Sequence, residues 1–308
     1  MIKDVTASGN AKIISFAQAL NIDRTVSSIA RTFSRFSTEG KIGVFGIICI
    51  ILMAVFAPMI TIYPPQKITG DSLEPPGPGH ILGTDELGMD IWSQICYGAR
   101  MSLTIGLAVA FAAGFGGGAV GILAGYIGGH TDQALMRVID VTMALPSFPL
   151  LIVISAFLGP SILNVILILV LFSWAKPARI ARSQTLALKK NSYIIAARNY
   201  GAKPFYLLWS IYFPKLCLSC SCLSSAYPHA IIAEAGLAFL GLGDPTSKSW
   251  GMMLNHATGF RSIYFTPYWQ WWLLPPLFML IFLLLCLAFI SRDMERILDP
   301  KLKIKKGF

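Results

Sequence analysis

Apolar and polar positions alternate along this chain in blocks rather than residue by residue. Uncharged tracts occupy 42–62, 101–127, 141–175 and 262–291, and a fifth at 216–243 carries a single charge, Glu234. A helix needs about 20 apolar residues to cross roughly 30 Å of hydrocarbon. The tract at 141–175 would extend about 50 Å as one helix, so Gly159-Pro160 is read as the break that divides it into two. That makes six spans. Backbone groups in lipid must be satisfied internally, and the tracts lack the ten-residue alternation of a barrel, so the spans are expected to be helices.

Composition agrees. Of the 308 residues 55% are hydrophobic and 13% charged, with a mean hydropathy of +0.64, outside the usual balance of a soluble domain. Six spans leave no room for a soluble enzyme domain beside them. Charge sets the orientation: with the N-terminus inside, 21 of the 25 Lys and Arg residues fall on the cytoplasmic side, and only Lys67, Arg100, Lys248 and Arg261 lie outside. The positive-inside bias selects this topology, with both termini cytoplasmic. The expected organisation is an N-terminal cytoplasmic segment at 1–41, a transmembrane domain at 42–291 and a basic cytoplasmic tail at 292–308. Within the domain, 63–100 forms an external loop and 176–215 a cytoplasmic loop.

The first 41 residues do not read as a signal peptide, since the charged region is long and no small-residue cleavage site follows a short apolar core. Ile22, Val26, Ile29, Phe33 and Phe36 fall at helical spacing, with Arg24, Arg31 and Arg35 off that stripe. This is either an amphipathic helix in the membrane interface or a solvated basic tail. Gly117, Gly121 and Gly125 recur every four residues, as do Ala110, Gly114 and Gly118, a spacing that lets helix backbones approach closely. Pro146 and Pro149 imply a kinked or opened helix, either beside a pathway or required by packing. Glu234 is costly inside a span. It either lines a translocation route or is a structural carboxylate.

The segment NSYIIAARNYGAKPFYLLWSIYFP, residues 191–214, lies in the most basic of the inside segments. It is too polar to span, and a short amphipathic helix is the economical reading. Ala196, Ala197 and Gly201 have little bulk, which suits insertion into a partner's groove; the alternative is a helix that hugs its own bundle. Pro204 and Pro214 fix where the helix stops and the next span begins. No phosphate-binding loop is present: the one Gly-Lys dipeptide, Gly40-Lys41, has Arg35 where the first Gly belongs and Ile42 after it. Cys217, Cys220 and Cys222 are read as packing residues rather than a metal site, since zinc sites usually collect four ligands.

In Ala196, Ala197, Gly201, Ile211 and Pro214 the chain resembles the EAA loop of ABC importer permeases, the cytoplasmic segment that docks on the ATPase subunit. GTDELGMD (83–90), GARMSL (98–103), MRVIDVTMALPS (136–147), EAGLAFLGLG (234–243) and SWGMML (249–254) are similar to the dipeptide, oligopeptide and nickel branch of that family, in particular to the second permease of the pair. The resemblance covers about 41–300, with Gly83, Asp85, Gly88 and Asp90 in the external loop motif. One departure stands out: the family's glutamate at the first EAA position is Ile195 here, so any ion pair it makes is absent.

The resemblance implies an all-α prokaryotic inner-membrane subunit with six transmembrane helices that forms a pore with a homologous permease. It further implies an extracytoplasmic substrate-binding protein as partner, and two ATPase subunits that bind ATP and Mg, with no cofactor in this chain and no nucleic acid. Peptides are the default substrate by family frequency, with nickel chelates or other small solutes as the alternative. An ion-coupled secondary transporter, which would use embedded ionisable residues and often shows inverted repeats, is the competing class. A membrane scaffold without transport is a third.

Overall fold

A computed structural model describes residues 36–208, 212 and 220–298. The apolar stripe from Ile22 to Phe33, Ile211, Pro214, Cys217, the side chains of Cys220 and Cys222, and the tail beyond 298 lie outside the described residues. Within them the fold is all-helical, and β structure is confined to two isolated bridges, Ile68 with Met89 and Thr84 with Asp90.

Helix α1 runs Thr38–Val55 and a short α2 Ala57–Ile60. Ser37 caps α1 by accepting the Gly40 amide at 3.2 Å. The Ser37 amide and hydroxyl both donate to the Asp293 carboxylate at 2.7 Å, and Glu39 pairs with Arg292. Asp293 belongs to α13, Leu274–Leu298, the last helix among the described residues. Gly40, Gly43 and Gly46 line the face of α1 against it, where a Cβ on Gly43 would lie 2.7 Å from the Cys286 carbonyl oxygen. The start of the first span and the end of the last are thus fastened together.

Helix α3, Ile91–Ile127, is the central element, and its 37 residues extend about 55 Å. It begins ten residues before the apolar tract at 101–127. Asp90 caps it, and Ile91, Ile95 and Ala99 continue a buried face. Arg100, whose charge precedes the uncharged tract, turns back to donate to the carbonyls of Ala54 and Val55 at 2.5 and 2.9 Å, satisfying the orphan C-terminal acceptors of α1. The last ten residues of the segment expected to be external loop, 91–100, are therefore solid helix.

The tract at 141–175 divides at Gly159 as its composition requires, with φ at 79°. A second break precedes it. Helix α4, Gly129–Ala144, ends at Leu145, held extended before Pro146, as the residue preceding a proline is. Helix α5, Ser147–Leu158, leaves at 84°. Helices α6 (Ile162–Ser173) and α7 (Ala175–Lys189) form one 28-residue apolar unit. It runs parallel to α3: a Cβ on Gly117 or Gly121 would overlap the Trp174 or Ala178 carbonyl, and one on Gly125 would lie 2.9 Å from the Thr185 Cβ. The glycine row is a packing seam.

After α7 come α8, Ser192–Asn199, and the short α9, Pro204–Leu207. Helix α10, Cys220–Phe239, runs antiparallel to α3, with Ile231 against Gly106. The cap helices α11, Trp250–Gly259, and α12, Trp269–Trp272, precede α13. Four of these units are long and apolar enough to cross a membrane, or five if the bent α4–α5 pair crosses once. Helix α10, diluted by Pro228, His229 and Glu234, is not among them. Large apolar side chains face outward along the units, Leu163, Leu167 and Leu171 on α6 and Phe157 on α5 among them, as a bilayer permits and water does not.

Candidate functional site

At one end of the bundle the GTDELGMD segment ties a polar knot over the start of α3. Gly83 and Gly88 both have φ at +73°, a left-handed conformation that glycine adopts without a Cβ penalty. Between them the Asp85 carboxylate accepts the Leu87 and Met89 amides, each at 2.9 Å, and the Gln94 side-chain amide at 2.7 Å. Asp90 accepts the Ser93 amide at 2.8 Å and its hydroxyl at 2.6 Å, and its other oxygen meets His80 Nδ1 at 2.9 Å. Thr84 donates to the Asp71 carbonyl and accepts the Glu74 amide. All four motif residues are buried, Asp85 at 5% exposure and Asp90 at 3%. Trp250 of α11, fully buried, donates to the Ile95 carbonyl at 3.0 Å, so SWGMML and GTDELGMD belong to one cap. His80, Thr84 and Gln94 complete the knot and were not singled out from sequence; no periodicity marks them, because they lie in loop or on the polar side of a cap.

At the other end, α8 shows how the Ala-Ala and Gly positions are used. Tyr200 caps the helix, Gly201 follows at φ +80°, the Gly201 amide donates to the Arg198 carbonyl at 3.0 Å and the Ala202 amide to the Ala197 carbonyl at 3.1 Å. These two bonds make a Schellman stop, and the apolar contact that accompanies such a stop is supplied by Ala197 and Ala202, both packed on the buried cluster formed by Ile122, Ala181, Ile194, Leu207 and Tyr212. Ala196 points the other way: it is exposed together with Ser192, Ile195 and Asn199, the i, i+3, i+4, i+7 set of one helix face. Gly201 is exposed with open space around it, and Tyr200 stands out at 92% exposure. Lys189 bonds the Tyr126 carbonyl at 2.6 Å and lies over the Tyr126 ring, tying the base of α8 to the C-terminus of α3. Arg182 and Arg179 clamp Asp132 and Asp140 of α4.

Glu234 lies between these ends, 3% exposed, where α10 meets α3 and α11. The Ser102 and Ser249 hydroxyls flank its carboxyl, while Oε2 has no hydrogen-bond partner. Pro146 sits at the α4–α5 break, which forms one wall of a cavity of about 310 Å³ bounded also by α6, α7 and α10.

A helical bundle with outward apolar faces, an ordered cap at one end and a small exposed helix at the other defines a multi-pass membrane subunit. Residues 117–304 match the family described as binding-protein-dependent transport system inner membrane component. A putative peptide transport system permease protein of Brucella suis is 36% identical over 270 residues, 86% of this chain and 88% of its own. The dipeptide transport system permease protein DppC of Bacillus subtilis is 34% identical, covering 85% and 81%. The oligopeptide transport system permease protein OppC of the same organism is also 34% identical, covering 87% and 88%. The chain belongs to this family of inner-membrane components, and is the permease subunit of an ABC importer that depends on a binding protein.

Proposed function

We propose that this permease imports short peptides. The observation that carries the substrate is similarity, over more than four-fifths of the chain, to proteins named as peptide, dipeptide and oligopeptide permeases. In this reading a homologous permease completes the pore, a loaded binding protein docks at the cap, and two ATPase subunits bind ATP and Mg on the other side. Six spans with both termini cytoplasmic fit best. Ser37 and Asp293 are hydrogen-bonded, so the first span starts on the side where the last one ends. An even number of crossings fits this arrangement, and in this reading α1, α3, α4–α5, α6–α7, α10 and α13 make six. The basic residues then put this side in the cytoplasm.

Coupling is assigned to α8. Its outward face, Ser192, Ile195, Ala196 and Asn199, together with Tyr200 and Gly201, enters the groove of an ATPase subunit. Its inward face, Ile194 and Ala197, is held to α3 and α7, whose glycine seam transmits displacement as a rigid pair. Nucleotide binding biases a two-state switch through this contact. With Ile195 in place of glutamate, docking rests on shape rather than on an ion pair.

The test is uptake of labelled dialanine by the assembled importer in proteoliposomes, with Ala196→Trp alongside. Ala196 is exposed, so the substitution spares this chain's own packing, while an interface packed to interior density has no void for an indole. The variant is expected to pair with its permease partner yet recover little ATPase subunit and transport nothing. Normal recruitment and uptake by Ala196→Trp would remove α8 from the coupling role.

A further inference from the structure

The cavity at the α4–α5 break has a composition that packing does not require. Its body is apolar, with Phe148, Leu151, Leu169 and Ile232 in the walls, whereas Lys176 and His229 bring two nitrogen bases to it along with the hydroxyls of Ser147 and Ser173. Among the described residues no acidic side chain lines it. Among the described residues Lys176 has no carboxylate within ion-pair distance; the nearby acids of α4, Asp132 and Asp140, are already held by Arg182 and Arg179. Lys176 follows Trp174, which packs on Gly117, and His229 precedes Ile231, which packs on Gly106. His229 therefore lies beside the middle of the long central helix, and Lys176 beside its C-terminal third. Both side chains are exposed. Lys176, the first residue of the segment expected on the cytoplasmic side, thus brings an ammonium with no acidic partner among the described residues to the inner end of an otherwise apolar cavity.

We infer that this cavity receives the carboxylate end of the peptide in transit, an assignment that rests on the peptide reading above. Lys176 pairs with the carboxylate, the hydroxyls supply hydrogen bonds to it, and the apolar walls take the terminal side chain. The volume is at the lower end of the range for small-molecule sites, enough for the end of a peptide that passes through. The charge also discriminates between substrates. A bare divalent cation needs oxygen, imidazole or thiolate ligands of net negative or neutral character, and here it would meet a lysine with no carboxylate beside it.

The experiment uses the complete importer in proteoliposomes, with labelled dialanine as probe and ATP hydrolysis measured in parallel. Lys176→Gln is expected to lower dialanine uptake by about tenfold or more, the loss of one hydrogen bond to a charged group, while the permease partner and the ATPase subunits still co-purify. Lys176→Arg keeps the charge and restores uptake. In a chain freed of its native cysteines, Lys176→Cys is inactive until a methanethiosulfonate reagent adds an aminoethyl group, and a sulfonatoethyl group does not rescue it; excess dialanine slows the modification. Unchanged uptake by Lys176→Gln overturns the site, as does rescue by the sulfonatoethyl group. Loss of the permease partner from Lys176→Gln would make the cavity a subunit contact and equally overturn it. A wild-type importer that moves no dialanine refutes the peptide reading itself, and the site with it; a wild type that moves dialanine beside an unaffected Lys176→Gln refutes the site alone.

Discussion

Asp85 offers the sharpest test of whether the cap motif is an architectural knot or a contact surface. Its carboxylate accepts three donors, the amides of Leu87 and Met89 and the side chain of Gln94. Truncation in Asp85→Ala strands all three. Leu87 is exposed and its amide can turn to water, but Met89 is partly covered and Gln94 is buried. Each hydrogen bond to a charged acceptor contributes about 1.5 to 3 kcal/mol, and a stranded buried donor costs about as much, so the loss comes to about 3 to 5 kcal/mol of local stability. Asp85→Asn keeps the oxygen that serves both amides, and Gln94 can flip to meet the new amide, which leaves a cost of about 1 kcal/mol. Amide exchange in the peptide covering 84–91 reads this directly, because the amides of Thr84, Asp85, Gly88, Met89 and Ile91 are all bonded within the knot. Exchange should accelerate by about two to four orders of magnitude in Asp85→Ala and by about fivefold in Asp85→Asn. Equal acceleration in the two variants, or none in Asp85→Ala, would refute the argument that the carboxylate organises the loop.

Two further outcomes follow from the bundle. Gly121→Leu should lower the thermal midpoint of the purified subunit and its yield in membranes, since even a Cβ at this position overlaps the Ala178 backbone and overpacking costs about 1 to 3 kcal/mol; an unchanged midpoint would mean that α3 and α7 do not share this seam. For orientation, an impermeant thiol reagent added outside should label Thr246→Cys, exposed on the cap, but not Lys190→Cys at the foot of α7, in a background without native cysteines. Labelling of Lys190→Cys from outside would overturn the six-span arrangement.

Much of the architecture is legible in the apolar tracts and the glycine spacing, and the exceptions have definite physical causes. Arg100 looks like the outer boundary of a span because it is charged, yet its guanidinium is consumed in capping α1, which no linear pattern reveals. The α1–α13 seam is not legible in the sequence because Gly40, Gly43 and Gly46 recur at three-residue rather than four-residue spacing. The Ala196-Ala197 pair reads as one smooth face, but neighbouring residues on a helix point about 100° apart. The structure turns Ala197 inward to complete the Schellman stop and leaves Ala196 outside. The role of Gly201 in ending that helix was within reach of turn chemistry. Lys176 and His229 were not, since they are 53 residues apart and meet only when α10 folds back beside α7.

The fastening of Ser37 to Asp293 also carries a consequence for biosynthesis. The two residues are separated by 256 positions, and a ribosome adding about 5 to 20 residues per second takes roughly 10 to 50 s to travel between them. Throughout that interval the first span sits in the bilayer with its glycine groove empty and the Ser37 hydroxyl waiting for its acceptor. A chain cut short anywhere before 293 keeps that groove open to lipid, so α13 covers late in synthesis a surface that α1 presents from the start.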